Sequence, residues 1–185
     1  MKSTLIGLVL VAAAVVNPSS WRVGRGDVRV ICPMTIGGSF EAKTAALRGS
    51  VIAGANGSPT LDGSLAVDLR TLDTGINLRN EHLREKYLEV NKGTGFDTAT
   101  LSAIDLTGLS TVAPEGKGSF TGLLTVHGIA KTVTGAVDVR RANGGLRVKA
   151  SFRLDLSDYG IAKPRYLGIG VTNTVQVEVA FDVSR

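Results

Sequence analysis

The sequence contains few of the residues that build disulfides, metal sites and catalytic centres. Its 185 residues include one cysteine, two histidines and 5% aromatic residues. A lone cysteine excludes a disulfide within this chain. We predict that Cys32 is a small, buried apolar side chain. The scarcity of aromatic rings, together with 23 glycines, favours a turn-rich all-β chain over a helical bundle.

Motifs for catalysis and metal binding are also missing from the sequence. There is no G-x-S-x-G nucleophile elbow and no H-E-x-x-H pair. No histidines, cysteines and carboxylates cluster as metal ligands do. We therefore expect no catalytic residues, no metal and no cofactor. An enzyme acting on a lipid, the least favoured alternative, would need a buried polar cluster near His82, His127 or Asp68.

The charged residues exclude one further class of function. The chain is basic, with a formal net charge of +5, but its basic residues are scattered and not interleaved with aromatic rings. Nucleic-acid binding is therefore not predicted. A mildly basic protein is compatible with anionic membrane surfaces or phosphate-bearing ligands. The loop containing Lys163 and Arg165 could meet a phosphate group, and the alternative is an ordinary solvated loop.

The first 20 residues have the pattern of a secretory signal peptide. Lys2 provides a short positive region, residues 5–16 form an uncharged apolar run, and Ala12 and Ala14 have the spacing of a cleavage site. An uncleaved membrane anchor is the alternative. As a helix, however, the apolar run would cover only about 18 Å of a hydrocarbon core of about 30 Å. We expect residues 1–20 to be a signal peptide, residues 21–185 to be one domain, and the protein to be periplasmic or secreted.

From residue 21 onward, apolar and polar residues alternate with the period of two that half-buried strands show. The strongest runs cover residues 146–156 and 171–183, and Asn-Gly-Gly at residues 143–145 predicts a hairpin turn in front of the first of them. Six weaker runs cover residues 28–32, 47–51, 61–69, 96–104, 120–126 and 133–139. The pattern predicts about eight antiparallel strands, and leaves open whether they form a barrel or a sandwich.

One segment of the chain has a helical period instead. Leu83, Tyr87 and Val90 are spaced i, i+4, i+7, while the remaining positions of residues 77–90 are mostly polar or charged. We predict a single amphipathic surface helix, capped by Asn77, whose apolar stripe packs on the strands. Lys86 and Glu89 have the spacing of an ion pair along this helix.

Four stretches together resemble a known family. They are VDLRTLDTGINLRNEHLR at residues 67–84, GLLTVHGIAKTV at residues 122–133, SDYGIA at residues 157–162, and the final V-x-V-x-V-x-F strand. In this order they are similar to the YceI-like family over nearly all of residues 21–183. Residues 91–95, Asn-Lys-Gly-Thr-Gly, depart from the aromatic-Pro pair that many members have after the helix.

The resemblance implies an eight-stranded antiparallel lipocalin-like β-barrel with one amphipathic helix, exported to the bacterial periplasm. It also implies that the barrel carries or sequesters an isoprenoid chain, such as a polyprenyl or quinone tail. The apolar residues on the inward face of the strands are then the candidate ligand contacts. They are Leu65, Val67, Leu69, Phe120, Leu124, Val126, Val148, Phe152, Leu154, Val177, Val179 and Phe181. Candidates for contact with a polar head group are Arg79, His82, Arg84, Lys163 and Arg165.

A non-catalytic function of another class stays open at this point. The same aliphatic residues could fill the barrel completely, which would favour a stress-related structural or interaction module. For the carrier, the expected partner is an isoprenoid or another long-chain lipid, with peripheral membrane contact. The sequence leaves the oligomeric state open, with a dimer as one option.

Overall fold

The computed structural model describes residues 20–54, 58–111, 113–142, 144–166 and 169–185, and within them the chain is mostly antiparallel β-sheet. The predicted signal peptide lies outside the described residues, apart from Ser20. The strands are β1 (Ser20–Pro33), β2 (Ser39–Thr44), β3 (Leu47–Ala53), β4 (Thr60–Asp68), β5 (Thr98–Thr107), β6 (Gly116–Val126), β7 (Ile129–Ala142), β8 (Gly145–Asp155), β9 (Arg165–Tyr166), β10 (Ile169–Gly170) and β11 (Thr174–Ser184).

Eight of these strands close into a barrel. They pair in the order β11-β8-β7-β6-β5-β4-β3-β1, and β1 pairs again with β11, so that the sheet has no gap. The second edge of β1 is shared, because its first residues pair with β3 and its last residues pair with β2. The predicted eight-stranded barrel with one helix is confirmed. Strand β2, which continues the line of β3, was not predicted.

A bulge in β5 explains why its inward face is ambiguous in the sequence. The pairing of β5 with β6 shifts by one residue between Ser102 and Asp105, and Ala103 between them has a φ of 47°. An extra residue reverses the alternation. As a result Leu101 lines the barrel on one side of the bulge, while Ile104 and Leu106 do so on the other.

The tight turns follow the residue types at their centres. His127 and Gly128 join β6 to β7 with φ values of 53° and 75°, as a type I′ hairpin turn requires. The turn predicted at residues 143–145 joins β7 to β8, and its first residue lies outside the described residues. Gly144 in the same turn also has a positive φ.

The helix lies between β4 and β5 and covers one end of the barrel. It begins with α1 (Asn77–Glu81) and continues as a π-helical segment (His82–Tyr87), where the amide of Leu88 donates to the carbonyl of Leu83. Asn77 is not the cap, because the preceding Ile76 occupies that position and makes no side-chain cap. No helix within the described residues is long and apolar enough to cross a membrane.

The predicted apolar stripe of the helix packs on the barrel as expected. Leu83 and Tyr87 are half-buried against the core, and Val90 is buried in the turn that follows the helix. The prediction of an ion pair between Lys86 and Glu89 was wrong. Glu89 has a left-handed backbone conformation, and its carboxylate binds Lys92 and His127. We call this end of the barrel the helix end; it comprises the helix, the β1–β2 loop at residues 34–38 and the described parts of residues 156–173.

Candidate ligand-binding cavity

The interior of the barrel contains a cavity of about 280 Å³. Its wall runs from Trp21 and Thr111 at one end to Leu83 and Val171 at the helix end. Polar groups are rare on this wall, and the hydroxyl of Thr111 donates to the carbonyl of Ser58 at 2.8 Å. The volume lies close to the lower limit of about 300 Å³ for small-molecule pockets. The described barrel is therefore not completely filled by its own side chains.

The structure places every predicted ligand contact on the wall of this cavity. The twelve residues are Leu65, Val67, Leu69, Phe120, Leu124, Val126, Val148, Phe152, Leu154, Val177, Val179 and Phe181. Strands β4, β6, β8 and β11 and the turn after β4 contribute them, so the fold brings together positions that are distant in sequence. Their contact with a ligand stays a prediction.

Sequence reasoning missed a large part of the same wall. Leu47 and Val51 from β3, Phe40 from β2, and Leu88 after the helix also line the cavity. The alternation in β3 was recognised, but its residues were not assigned to the site. Phe40 lacked a signal, because β2 has only six residues and four of them are polar or charged.

Two aromatic rings shape the middle of the cavity. Phe120 and Phe152 meet edge to face, with ring centroids 5.9 Å apart. Gly135 lies beside both rings, and a Cβ atom at this position would be 2.6 Å from Cε1 of Phe120 and 2.8 Å from Cβ of Phe152. The glycine therefore provides the space that the pair of rings occupies.

Three of the five predicted head-group residues lie next to the cavity wall at the helix end. The guanidinium carbon of Arg79 is 4.5 Å from the ring centroid of Phe40, which lines the cavity. Lys163 and Arg165 are exposed and flank Pro164, which also lines the cavity. These three cations therefore lie at the helix end of the apolar chamber, next to residues of its wall.

The other two predicted head-group residues are placed differently. Arg84 donates from Nε and Nη2 to the carbonyl oxygen of Leu72, at 3.2 and 2.7 Å, so its guanidinium fixes the segment in front of the helix. His82 is exposed on the helix, and its ring does not line the cavity. The geometry therefore gives Arg84 a scaffold contact.

A comparison of the sequence with known protein families agrees with this barrel, helix and apolar chamber. The sequence profile of the YceI-like domain matches residues 15–183. The chain belongs to the YceI-like family. No curated protein matches it in sequence.

Solved structures with the YceI-like fold are similar to this chain over most of its length. BcnA from Burkholderia cenocepacia has a TM-score of 0.68 at 18% identity, covering 86% of this chain and 96% of its own. A polyisoprenoid-binding domain from Saccharophagus degradans, implicated in plant cell wall breakdown, has a TM-score of 0.64 at 16% identity, with coverages of 89% and 97%. The YceI protein of Campylobacter jejuni has a TM-score of 0.54 at 12% identity, with coverages of 97% and 91%. At these identities the likeness concerns the fold alone.

The YceI-like motif at residues 122–133 contains His127, whose imidazole joins the β6–β7 turn to the segment after the helix and to the segment at Tyr159. Its Nε2 lies 2.8 Å from Oε2 of Glu89, and its Nδ1 lies 3.0 Å from the carbonyl oxygen of Tyr159. The ring also packs edge to face with Phe96, at 4.7 Å between centroids. Neither His127 nor Glu89 lines the cavity. The pair therefore connects the segments that close the barrel.

Two carboxylates next to residues of the cavity wall, Glu89 and Asp68, have basic partners. The hydrogen bond from Lys92 lowers the pKa of Glu89 most, and the one with His127 lowers it further by a smaller amount. The guanidinium of Arg70 lowers the pKa of Asp68, whose carboxylate also accepts the Arg70 amide. The described residues contain no group of three side chains arranged to hold a metal ion.

Cys32 occupies the cavity wall of the YceI-like barrel, as a buried thiol near the helix end. Burial raises its pKa to about 11, an effect that the charge of Arg79 partly opposes. The prediction that Cys32 is a small buried apolar side chain is confirmed. A thiol with such a pKa is protonated at neutral pH and behaves as part of the apolar lining.

Proposed function

We propose that this YceI-like protein is an exported lipid carrier that encloses an isoprenoid chain in its barrel. The observation that carries the proposal is the apolar cavity between Trp21 and Val171, lined on every side by aliphatic and aromatic residues. Removing a polyprenyl tail from water contributes about 25 cal/mol per Å² of apolar surface. Such binding needs no catalytic group. The polyisoprenoid-binding domain from Saccharophagus degradans, which has the same fold, supports the choice of ligand class.

The arrangement of charge supports one orientation of the ligand. Arg79, Lys163 and Arg165 lie at the helix end, whereas the cavity wall along the strands is apolar. We infer that the isoprenoid chain of the ligand extends down the barrel from the helix end. Its phosphate or quinone head group then lies among these cations. A phosphate would form charge-assisted hydrogen bonds with the guanidinium groups, and a quinone carbonyl would accept weaker ones.

Export is part of the proposal and rests on residues 1–20. A charged Lys2, a short apolar run and small residues at cleavage spacing are typical of secretory signal peptides. In the periplasm or outside the cell, a soluble carrier would protect an isoprenoid chain from water between two membranes. Sequestration of such a lipid would use the same cavity.

Mass spectrometry of an organic extract provides the direct test. The full chain is purified without detergent from cells that make isoprenoid lipids, and the extract is compared with one from a protein of similar size and charge. We expect an isoprenoid lipid in the first extract and none in the second. The proposal fails if repeated preparations contain no lipid and the purified protein also takes up none from added prenyl lipid.

The module with a filled core, which the sequence left open, has no specific observation in its favour. It requires that the barrel side chains leave no chamber, whereas the described residues enclose about 280 Å³. We therefore propose the carrier alone.

A further inference from the structure

Four large aliphatic side chains project into solvent at the helix end. Their exposed fractions are 66% for Ile36, 61% for Leu78, 49% for Ile76 and 43% for Ile169. Elsewhere among the described residues, the large aliphatic side chains that are exposed reach at most 39%, at Ile52 on the barrel wall. Exposed aliphatic side chains that gather at one end of a protein indicate an interaction site.

Contacts between neighbouring segments bring these side chains to the same end. The β1–β2 loop, which carries Ile36, is joined to β10 by two hydrogen bonds: the amide of Thr35 donates to the carbonyl of Gly170 at 2.8 Å, and the amide of Gly170 donates to Oγ1 of Thr35 at 3.0 Å. The stacking of Arg79 on Phe40 places the start of the helix against β2, directly after the loop. The four side chains therefore surround the end of the barrel where the cavity wall reaches Phe40 and Pro164.

The charged residues nearest in sequence to Leu78 and Ile169 are basic, Arg79 and Arg165. The acidic Asp73, which precedes Ile76, is exposed, and its carboxylate accepts a hydrogen bond from the side-chain amide of Asn80 at 2.6 Å. Lys163 and Arg165 lie in the segment at residues 163–170, which has no acidic residue, and the loop at residues 34–38 has no charged residue at all. The acidic residues of the helix, Glu81 and Glu85, come after its first turn. Apolar side chains combined with Lys and Arg are typical of surfaces that bind the interface of an anionic bilayer.

We propose that the helix end docks on the surface of an anionic lipid bilayer. Ile36, Leu78 and Ile169 enter the interfacial region, and Lys163 and Arg165 contact the lipid phosphates. The barrel axis then points into the membrane, so that a lipid passes between the bilayer and the cavity without crossing water. The lipid transfer rests on the proposed function, whereas the docking rests on this surface alone.

A fluorescent label at single positions tests which face meets the membrane. In a Cys32→Ala background, an environment-sensitive dye is attached to the full chain after Ile36→Cys, Leu78→Cys or, as the matched wall control, Ile52→Cys. Vesicles of phosphatidylcholine with added phosphatidylglycerol should shift the emission of the first two labels to the blue and leave the third unchanged. The apolar run at residues 5–16 also belongs to the full chain. Its binding to the vesicles would not by itself make the labels at positions 36 and 78 respond more than the label at position 52.

The electrostatic part is tested with the double variant Lys163→Gln/Arg165→Gln, labelled after Ile36→Cys. Each basic residue near an anionic surface contributes about fivefold to partitioning, so the double variant should require roughly 30-fold more anionic lipid for the same shift. Added salt should also reduce the emission shift of the label at position 36 in the protein that keeps Lys163 and Arg165, because salt screens their attraction to the anionic lipid. Phosphatidylcholine alone should give a much smaller shift.

Three outcomes would overturn the docking proposal. They are equal shifts at all three labels, no shift at Ile36 and Leu78, and shifts that grow with protein concentration in the absence of vesicles, which would identify a second copy of this chain as the partner. The mass spectrometry of extracts is a separate measurement. If the labels respond and no isoprenoid is found, the docking proposal stands and the carrier function is wrong. If isoprenoid is bound and the labels do not respond, the carrier function stands and the docking proposal is wrong.

Discussion

Nε2 of His127 lies 2.8 Å from Oε2 of Glu89, although 38 positions separate the two residues in the chain. The pair connects the β6–β7 turn to the segment after the helix, and a contact between Glu89 and Lys92 at 2.7 Å extends it. Both residues that form the pair have positive φ values, which side chains other than glycine rarely adopt. The contact therefore holds two unusual backbone conformations in place where the barrel is closed.

The Glu89 contacts predict a loss of stability in acid. Because Lys92 and then His127 lower the pKa of Glu89 in the folded state, this carboxylate stabilises the protein above the ordinary glutamate pKa of about 4.3. That contribution disappears as the pH falls through the lowered value. Thermal unfolding of the wild type and Glu89→Gln, followed from neutral pH to below about pH 4, should show a smaller loss of melting temperature in the variant.

A carboxylate on the same helix region provides the control for this measurement. Glu85 is exposed on the π-helical segment, and Glu85→Gln leaves the contacts of Glu89 in place, so this variant should retain the loss of melting temperature in acid that those contacts cause. Identical acid profiles for Glu89→Gln and the wild type would contradict the stabilising role of the Glu89 contacts.

The thiol of Cys32 should react very slowly with alkylating reagents. With its pKa raised to about 11, only about one molecule in a thousand carries the thiolate at pH 8. Mass spectrometry of iodoacetamide adducts over time should show alkylation at least about a hundredfold slower than for the same protein in denaturant. An isoprenoid in the cavity should slow it further, because Cys32 lies on the cavity wall. Alkylation at pH 8 as fast as in denaturant would contradict the burial.

Gly135 should not tolerate a side chain. A Cβ atom at this position would overlap the carbonyl oxygen of Ser151 as well as Cε1 of Phe120 and Cβ of Phe152. We expect Gly135→Ala to lower the free energy of unfolding by about 1–3 kcal/mol, as overpacking does. Gly24 is the matched control, because a Cβ there meets its nearest atom at 3.6 Å and its φ is not in the left-handed region. Denaturant unfolding checks both variants, and equal stabilities would contradict the tight packing around Gly135.

The barrel was largely predictable, because most of its strands alternate without interruption. β8 and β11 are paired along ten consecutive positions, so every second residue faces the interior and the sequence shows it. β5 resisted prediction because the bulge at Ala103 reverses the alternation halfway along the strand. The short β2 forms only because β1 and the rest of the barrel offer it an edge, and such a tertiary contact leaves no local pattern.

The candidate site was predictable in its apolar part and less so in its polar part. Alternation assigns an inward face, and the inward residues were therefore found on the cavity wall. The partners of a cation depend on which segments the fold brings together. Arg84 and Arg79 are five positions apart, yet one binds the carbonyl of Leu72 and the other stacks on Phe40 at the helix end. The sequence pattern treats both alike.

Filling the cavity should abolish lipid binding without unfolding the barrel. Ala150 is half-buried in β8 and lines the cavity, so Ala150→Phe places a ring where we propose the isoprenoid chain lies. Ala136 is exposed on the neighbouring β7, and Ala136→Phe adds the same ring to the outer face. Extraction and mass spectrometry of both variants should show loss of isoprenoid in the first only.

The stability of the two variants decides how this result is interpreted. Overpacking in the barrel costs about 1–3 kcal/mol, so the melting temperature of Ala150→Phe should fall while the transition stays cooperative. If Ala150→Phe does not fold, Val179→Phe tests the same chamber from β11, because Val179 also lines the cavity opposite Ala150 in the strand pairing. Folded variants that keep wild-type amounts of isoprenoid would show that the lipid binds outside the barrel, and the proposed carrier mechanism would then be wrong.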